Sequence, residues 1–318
     1  MRDPGRDETV RVAMTPAGTA SLTRSHQHAV SQRLSPLLPT GEKPSCLHPG
    51  LVWEATRAPA GSGPAHPAET AAARERVADL LRRQTPGVLM PALEHIEGGT
   101  HPCPDWCRHG IEELLADVQR LTGAGADRFG APDMAEATGQ VASAREILRR
   151  VWPEAVLEMD LLIRVIVYVR AGPFRSGTLR QTFGAIYLGT ESIQSTPAAF
   201  EALLHETGHH SLYLRNTFET FLVNGDTLVT HSLRPEPRPV AGAVHAAHVL
   251  ARMAYGLTRW AAQEAAPPEV RERRDNALER LHRTVEALKP IAEWTDRGRS
   301  YFDDLLTWER ELTDARGG

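Results

Sequence analysis

The chain has 318 residues, 41% of them hydrophobic, and a formal net charge of −4. That length suits one large domain or two modest ones, and the charge excludes the global basic field of a nucleic-acid binder. The most apolar run, residues 155–169, carries Glu158, Asp160 and Arg164, which excludes it as a bilayer span. The first residues lack the apolar core of a signal peptide. Three cysteines, an odd number in a long chain, argue against a disulfide framework. A cytoplasmic protein with neither a membrane nor a nucleic-acid partner is expected.

In chain order, residues 1–66 are rich in Pro, Gly, Ser, Thr and Arg without a sustained period, and are expected to be mostly flexible or loop-rich. Residues 67–155 read as a helical region. Helices are predicted over 69–84, over 110–121 with Ile111, Leu114, Leu115 and Val118 on one face, and over 133–151. Residues 156–318 form the expected catalytic region. Residues 161–169 are short and β-branched and predict a strand, as do 181–189. A helix follows, with Thr196 as its cap and Pro197 at its first position. Residues 216–239 read as a strand or irregular stretch. The prolines at 235, 237 and 239 block helix and ladder alike and predict an extended loop there. Helices over 240–263, 270–288 and 301–315 complete the chain. The fold class is mainly α with a small β-sheet beside the helix that carries the next motif (α+β).

That motif is His205-Glu206-Thr207-Gly208-His209. Four residues advance a helix slightly more than one turn, so both imidazoles leave one face and can reach one metal ion. Two histidines alone rarely hold a catalytic metal. A third histidine three residues past a Gly is excluded, because Leu212 and Arg215 stand at those places. Glu219 lies too close to supply a ligand from a second helix, and Glu264 lies at the end of the next helix. The helix over 240–263 is better equipped: His245, His248, Arg252 and Arg259 share a face. His245 reads as the third ligand, with His248 as its competitor, and Arg252 as an anion clamp about 10 Å further along the helix. Gly208, between the two ligands, points to close approach of another segment, such as the neighbouring strand.

The blocks Phe183-Gly-Ala-Ile, Leu204-His-Glu-Thr-Gly-His209, Leu233-Arg-Pro-Glu-Pro-Arg-Pro-Val240, Gly242-Ala-Val-His245 and Val249-Leu-Ala-Arg252 resemble, in order and spacing, the His-Glu-x-x-His peptide β-hydroxylases of ribosomally made peptide natural products. The resemblance covers roughly residues 160–316. It implies an iron(II) enzyme that uses α-ketoglutarate and O₂ to hydroxylate a β-carbon of a precursor peptide, often beside a radical SAM enzyme. It also implies a helical fold rather than a double-stranded β-helix barrel. His205, His209 and His245 match the family's metal-associated histidines. Arg252 and Arg238 match its arginines, read here as first and second choice to hold the far carboxylate of α-ketoglutarate.

Two other functions use the same residues. A zinc metallopeptidase would employ Glu206 as general base on a metal-bound water, whereas in an oxygenase Glu206 would orient a ligand or bind substrate. A non-catalytic peptide-binding protein would keep the fold and dispense with the metal. A separate cluster, Cys103 and Cys107 flanked by His101 and His109 with Cys46 and His48 upstream, has the spacing of a structural zinc site or of free thiols in a Pro-rich loop.

Overall fold

The sequence periods resolve into helices α1 (Pro16–Leu34), α2 (Pro49–Arg57), α3 (Pro67–Arg82), α4 (Asp105–Thr122), α5 (Met134–Val151), α6 (Pro153–Leu162), α7 (Thr196–Asn216), α8 (Val240–Ala261), α9 (Pro268–Leu288) and α10 (Asp296–Gly317). Short strands β1 (Glu94–Gly98), β2 (Val165–Val169), β3 (Ser176–Gly177), β4 (Ala185–Gly189), β5 (Leu228–His231) and β6 (Arg234–Pro239) lie between them. The structure, a computed structural model, describes residues 10–38, 42–58, 67–84, 92–98, 103–123, 131–217, 219–231 and 234–317. The protein is mainly helical with small sheets and no closed barrel among these residues. No helix among them is long and apolar enough to cross a membrane. The chain forms two compact units. One comprises residues 1–19, 143–157 and 200–318, the other 20–142 and 158–199. They are called the box unit and the sheet unit below.

The sheet unit is built on four strands in the order β1-β2-β4-β3. Strands β1, β2 and β4 run parallel, with Val165 opposite Ala185 and Val169 opposite Gly189. Every residue of β2 and β4 is buried, which is why both read as continuous apolar runs rather than alternating ones. Val165, Val167, Val169, Ala185 and Tyr187 pack with Trp106, Cys107, Ile111 and Leu115 of α4. Gly184 turns the chain into β4 at φ 99°, where a Cβ would meet the Leu47 carbonyl. Its own carbonyl accepts the Arg164 and Val165 N–H groups at 2.7 and 3.1 Å. A Cβ on Gly110 would run into the buried Tyr187 ring. Gly110→Ala is therefore expected to destabilise the protein by about 2 kcal/mol, despite alanine's higher helix propensity. Urea unfolding measures it.

Residues 1–66, expected to be loop-rich, contain α1 and α2. In α1 the buried positions include Thr19 and Thr23 beside Val30 and Leu34, so threonines interrupt the apolar period. Helix α2 starts from an unusual cap: His48 Nδ1 accepts the Gly50 N–H at 3.1 Å, with Pro49 at the first position. Burial lowers the His48 imidazole to about 4, and His26 likewise. An imidazole depressed in the folded state contributes stability that is present above its unfolded value near 6.5 and is lost as pH falls toward 4. Each such imidazole is thus expected to lower stability by roughly 1 kcal/mol per pH unit over that window. His48→Asn, which keeps a capping acceptor without the titration, should remove one such share and make the profile shallower in urea midpoints taken at pH 7, 6 and 5.

Strand β1 was not expected, because Glu94-His-Ile-Glu-Gly98 has the polar composition of a sheet edge and little β-propensity. Helix α7 begins one residue earlier than its Pro predicted: the Ser195 hydroxyl, not that of Thr196, accepts the Ala198 N–H, at 3.3 Å.

In the box unit α8 packs against α9 and α10. Its apolar surface includes an aromatic cluster in which Trp152 meets Tyr255 at 4.6 Å and Tyr255 meets Trp308 at 4.7 Å. The segment 233–239, expected as an extended loop, is mostly strand β6, paired antiparallel with β5 and placing Arg238 opposite Val229. Successive N–H groups of a strand point to opposite edges. Prolines at 235, 237 and 239 therefore put all three missing donors on one edge, and the other edge remains free to pair.

Candidate metal centre

Helix α7 presents His205 and His209 one turn apart, as their spacing predicts. Their Nε2 atoms stand 3.1 Å apart. Two nitrogens bound to one ion at ordinary lengths in tetrahedral to octahedral geometry lie about 3.0–3.4 Å apart, so this pair fits a shared metal. Burial lowers His209 to about 4, leaving it neutral and able to donate its lone pair near pH 7. The His205 side chain keeps 35% of its surface exposed, which gives the box an open side.

Helix α8 brings His245 to the same place. The His209 and His245 ring centroids are 5.3 Å apart and their Nδ1 atoms 3.1 Å. That contact lies on the opposite edge of His209 from the one facing His205. One imidazole nitrogen offers one lone pair, so in this arrangement His245 Nδ1 is the partner of His209 Nδ1 and faces that ring rather than the Nε2 pair. No three His, Cys, Asp or Glu among the described residues form a ready ligand set. His248, the competitor for the third position, points elsewhere. It is fully buried, its Nδ1 is 3.0 Å from the Tyr301 hydroxyl, and burial together with Arg215 and Arg252 holds it well below the usual imidazole range.

Glu206 is buried, with its carboxylate 3.8 Å from His205 Nε2. The next turn is tied down by His210, buried and bonded through Nδ1 to the Glu206 carbonyl at 3.1 Å. Gly208 lies under α8, so the close approach expected at this glycine is present. A Cβ there would stand 3.0 Å from Val249 and 3.3 Å from Arg252. The close segment is thus helix α8 and not a strand.

Arg252 is fully buried, 5.1 Å over the Trp152 ring, and donates to the Val12 carbonyl at 3.4 Å. Arg215, also fully buried, donates to the Arg11 and Val12 carbonyls and to Ser211, while Asp304 accepts the Val12 N–H at 2.8 Å. The polar stripe predicted on α8 therefore ends in two different environments. Its far member, Arg259, is exposed and bonds the Tyr255 hydroxyl at 2.9 Å. Arg238 is half-buried on β6, two residues before α8 begins. Glu219 and Glu264 are exposed, Glu219 lying 3.5 Å from Arg297.

Two residues of the centre were not anticipated. Tyr213 continues the His205–His209 row by one more turn and lies 4.7 Å from the His245 ring; its spacing alone would have found it. Met253 reaches His205, its sulfur 3.4 Å from Nδ1, and nothing in its sequence position signals that.

The Cys/His cluster belongs to the sheet unit. Cys103 and Cys107 lie together: a hydrogen bond to Cys103, then burial, pushes the Cys107 thiol up. Cys46 lies against Arg164, whose charge partly offsets the effect of burial on the thiol. His48 is committed to its cap, and His109 pairs with Glu113 at 2.9 Å and rests on Trp53 at 4.3 Å. His101 lies outside the described residues. No family model matches the chain, and no curated protein is significantly similar to it.

Proposed function

We propose that the protein is an iron(II)- and α-ketoglutarate-dependent hydroxylase acting on a β-carbon of a ribosomally made precursor peptide. The observation that carries the reading is the pair of Nε2 atoms at 3.1 Å with a third imidazole in contact. His205 and His209 would hold the ion, and His245 would serve the same centre through His209. The iron would activate O₂, the oxidant, with the two electrons that α-ketoglutarate gives up on decarboxylation to succinate. The chain's own work is to keep His209 neutral by burial and to hold the rings on two packed helices. It must also offer the peptide the open side at His205. Arg252 is the first choice for the far carboxylate of α-ketoglutarate and Arg238 the second. Arg252 meets that carboxylate only where the Val12 carbonyl yields its place.

Anaerobic loading with iron(II) and α-ketoglutarate, followed by O₂, tests the reading. Succinate formed only when all three are present supports it, and stoichiometric iron binding without succinate refutes it. A partner encoded nearby, a short peptide with a radical SAM enzyme, would fit the same reading. The zinc peptidase remains the second reading because of one observation, the Glu206 carboxylate 3.8 Å from His205 Nε2. Peptide cleavage in the presence of zinc, lost in Glu206→Ala, would favour it. Peptide binding that survives replacement of His205 and His209, without either chemistry, would favour the third reading, a recognition protein.

A further inference from the structure

We propose that Met253 is a positioning residue of the box: its thioether accepts the Nδ1–H of His205 and thereby aims that ring's Nε2 lone pair at the shared ion. The proposal rests on reading the box as a metal site and deepens it. A thioether sulfur has lone pairs and no proton. The 3.4 Å approach of Met253 Sδ to His205 Nδ1 is therefore a hydrogen bond only when Nδ1 carries the hydrogen. A neutral imidazole carries one, so Nε2 is then bare. Met253 is buried, so water does not compete for its sulfur.

The remaining contacts complete one consistent row. Without metal, His245 Nδ1–H donates to His209 Nδ1, His209 Nε2–H donates to His205 Nε2, and His205 Nδ1–H donates to Met253, over 3.1, 3.1 and 3.4 Å. An ion held by the two Nε2 atoms would require His209 to carry its proton on Nδ1, the nitrogen that faces His245. His205 needs no such change at Nδ1, because the thioether it meets there cannot donate. Met253 thus does for His205 what carboxylates and carbonyls do for metal-bound histidines elsewhere, with a softer acceptor.

The test uses the metal-free full-length protein with ¹⁵N-labelled histidine. Long-range proton–nitrogen spectra, assigned with His205→Ala, report which nitrogen of His205 is protonated. The wild type is expected to show Nδ1–H. Met253→Leu, which conserves volume, is expected to shift His205 toward Nε2–H and to weaken cobalt(II) binding about tenfold. Met253→Gln, whose amide oxygen accepts a hydrogen bond, is expected to restore both. Nε2–H in the wild type, or unchanged tautomer and cobalt affinity in Met253→Leu, overturns the proposal. Should the protein prove to have no hydroxylase activity, the tautomer comparison still decides the role of Met253, so the two failures are distinguishable.

Discussion

His209→Ala is expected to remove iron(II) retention and O₂-dependent succinate formation together. Partners of metal ligands are worth 10- to 100-fold in affinity, and loss of the ligand itself should exceed about a hundredfold. His209 also stands in the middle of the row, touching His205 on one edge and His245 on the other, so its removal deletes one nitrogen of the pair and breaks the contact to His245 as well. His248→Ala is the contrast. Its ring bonds Tyr301 in the buried interior, and its loss leaves that hydroxyl unpaired by the imidazole. That variant should lose about 2 kcal/mol of stability and keep its metal. Metal analysis after gel filtration, paired with urea unfolding, reads both. Iron retained in His209→Ala but lost in His248→Ala would mean that the wrong face of the helix pair has been assigned.

Arg252→Ala should produce the second large effect, and in two separable ways. The side chain is fully buried, lies over Trp152 and donates to the Val12 carbonyl. Truncation removes the packing of its long stem and one of the two guanidinium donors to the Val12 carbonyl, the other being Arg215, at a cost of about 3 kcal/mol. Under the proposed function it also raises the α-ketoglutarate requirement, at temperatures where the variant is still folded, while iron stays bound. Arg252→Lys separates the two, since lysine keeps the charge but neither the flat surface over the indole nor the forked donors. Equal stability loss in both variants with an unchanged α-ketoglutarate requirement would assign Arg252 to the fold alone. A low requirement in Lys and a high one in Ala would assign it to the anion.

How much was legible in the sequence depended on whether the signal was local. The His205–His209 pair was fully legible, because a helix places residues four apart on one face whatever surrounds it. The long amphipathic helices α3, α5, α8 and α9 were found within two residues of their ends for the same reason, whereas α4 and α10 begin five residues before their predicted starts and α6 was not expected. The buried strands were legible as apolar β-branched runs, although β2 starts only after α6 has run to Leu162. Three local readings failed in instructive ways. Threonines on the buried face of α1 concealed its period. A histidine standing in for the usual cap residue hid the start of α2. Alternating prolines suggested a loop, although the same alternation suits a strand paired along one edge.

The chain by itself determined the helical class, the two imidazoles on one helix face, and the choice of α8 as the source of their partners. Those follow from periods of 3.6 and 2 residues, which are properties of the backbone. Only the tertiary structure decided that His245 meets the far edge of His209 while His248 turns to Tyr301. It also decided that Arg252 is held by Val12 and Trp152, and that Met253 reaches His205. A helical face spans about 100° and holds several candidates. Which of them touches what depends on the rotation and crossing of the neighbouring helix, and that is set by packing, here by the closeness Gly208 permits, rather than by any residue's own spacing.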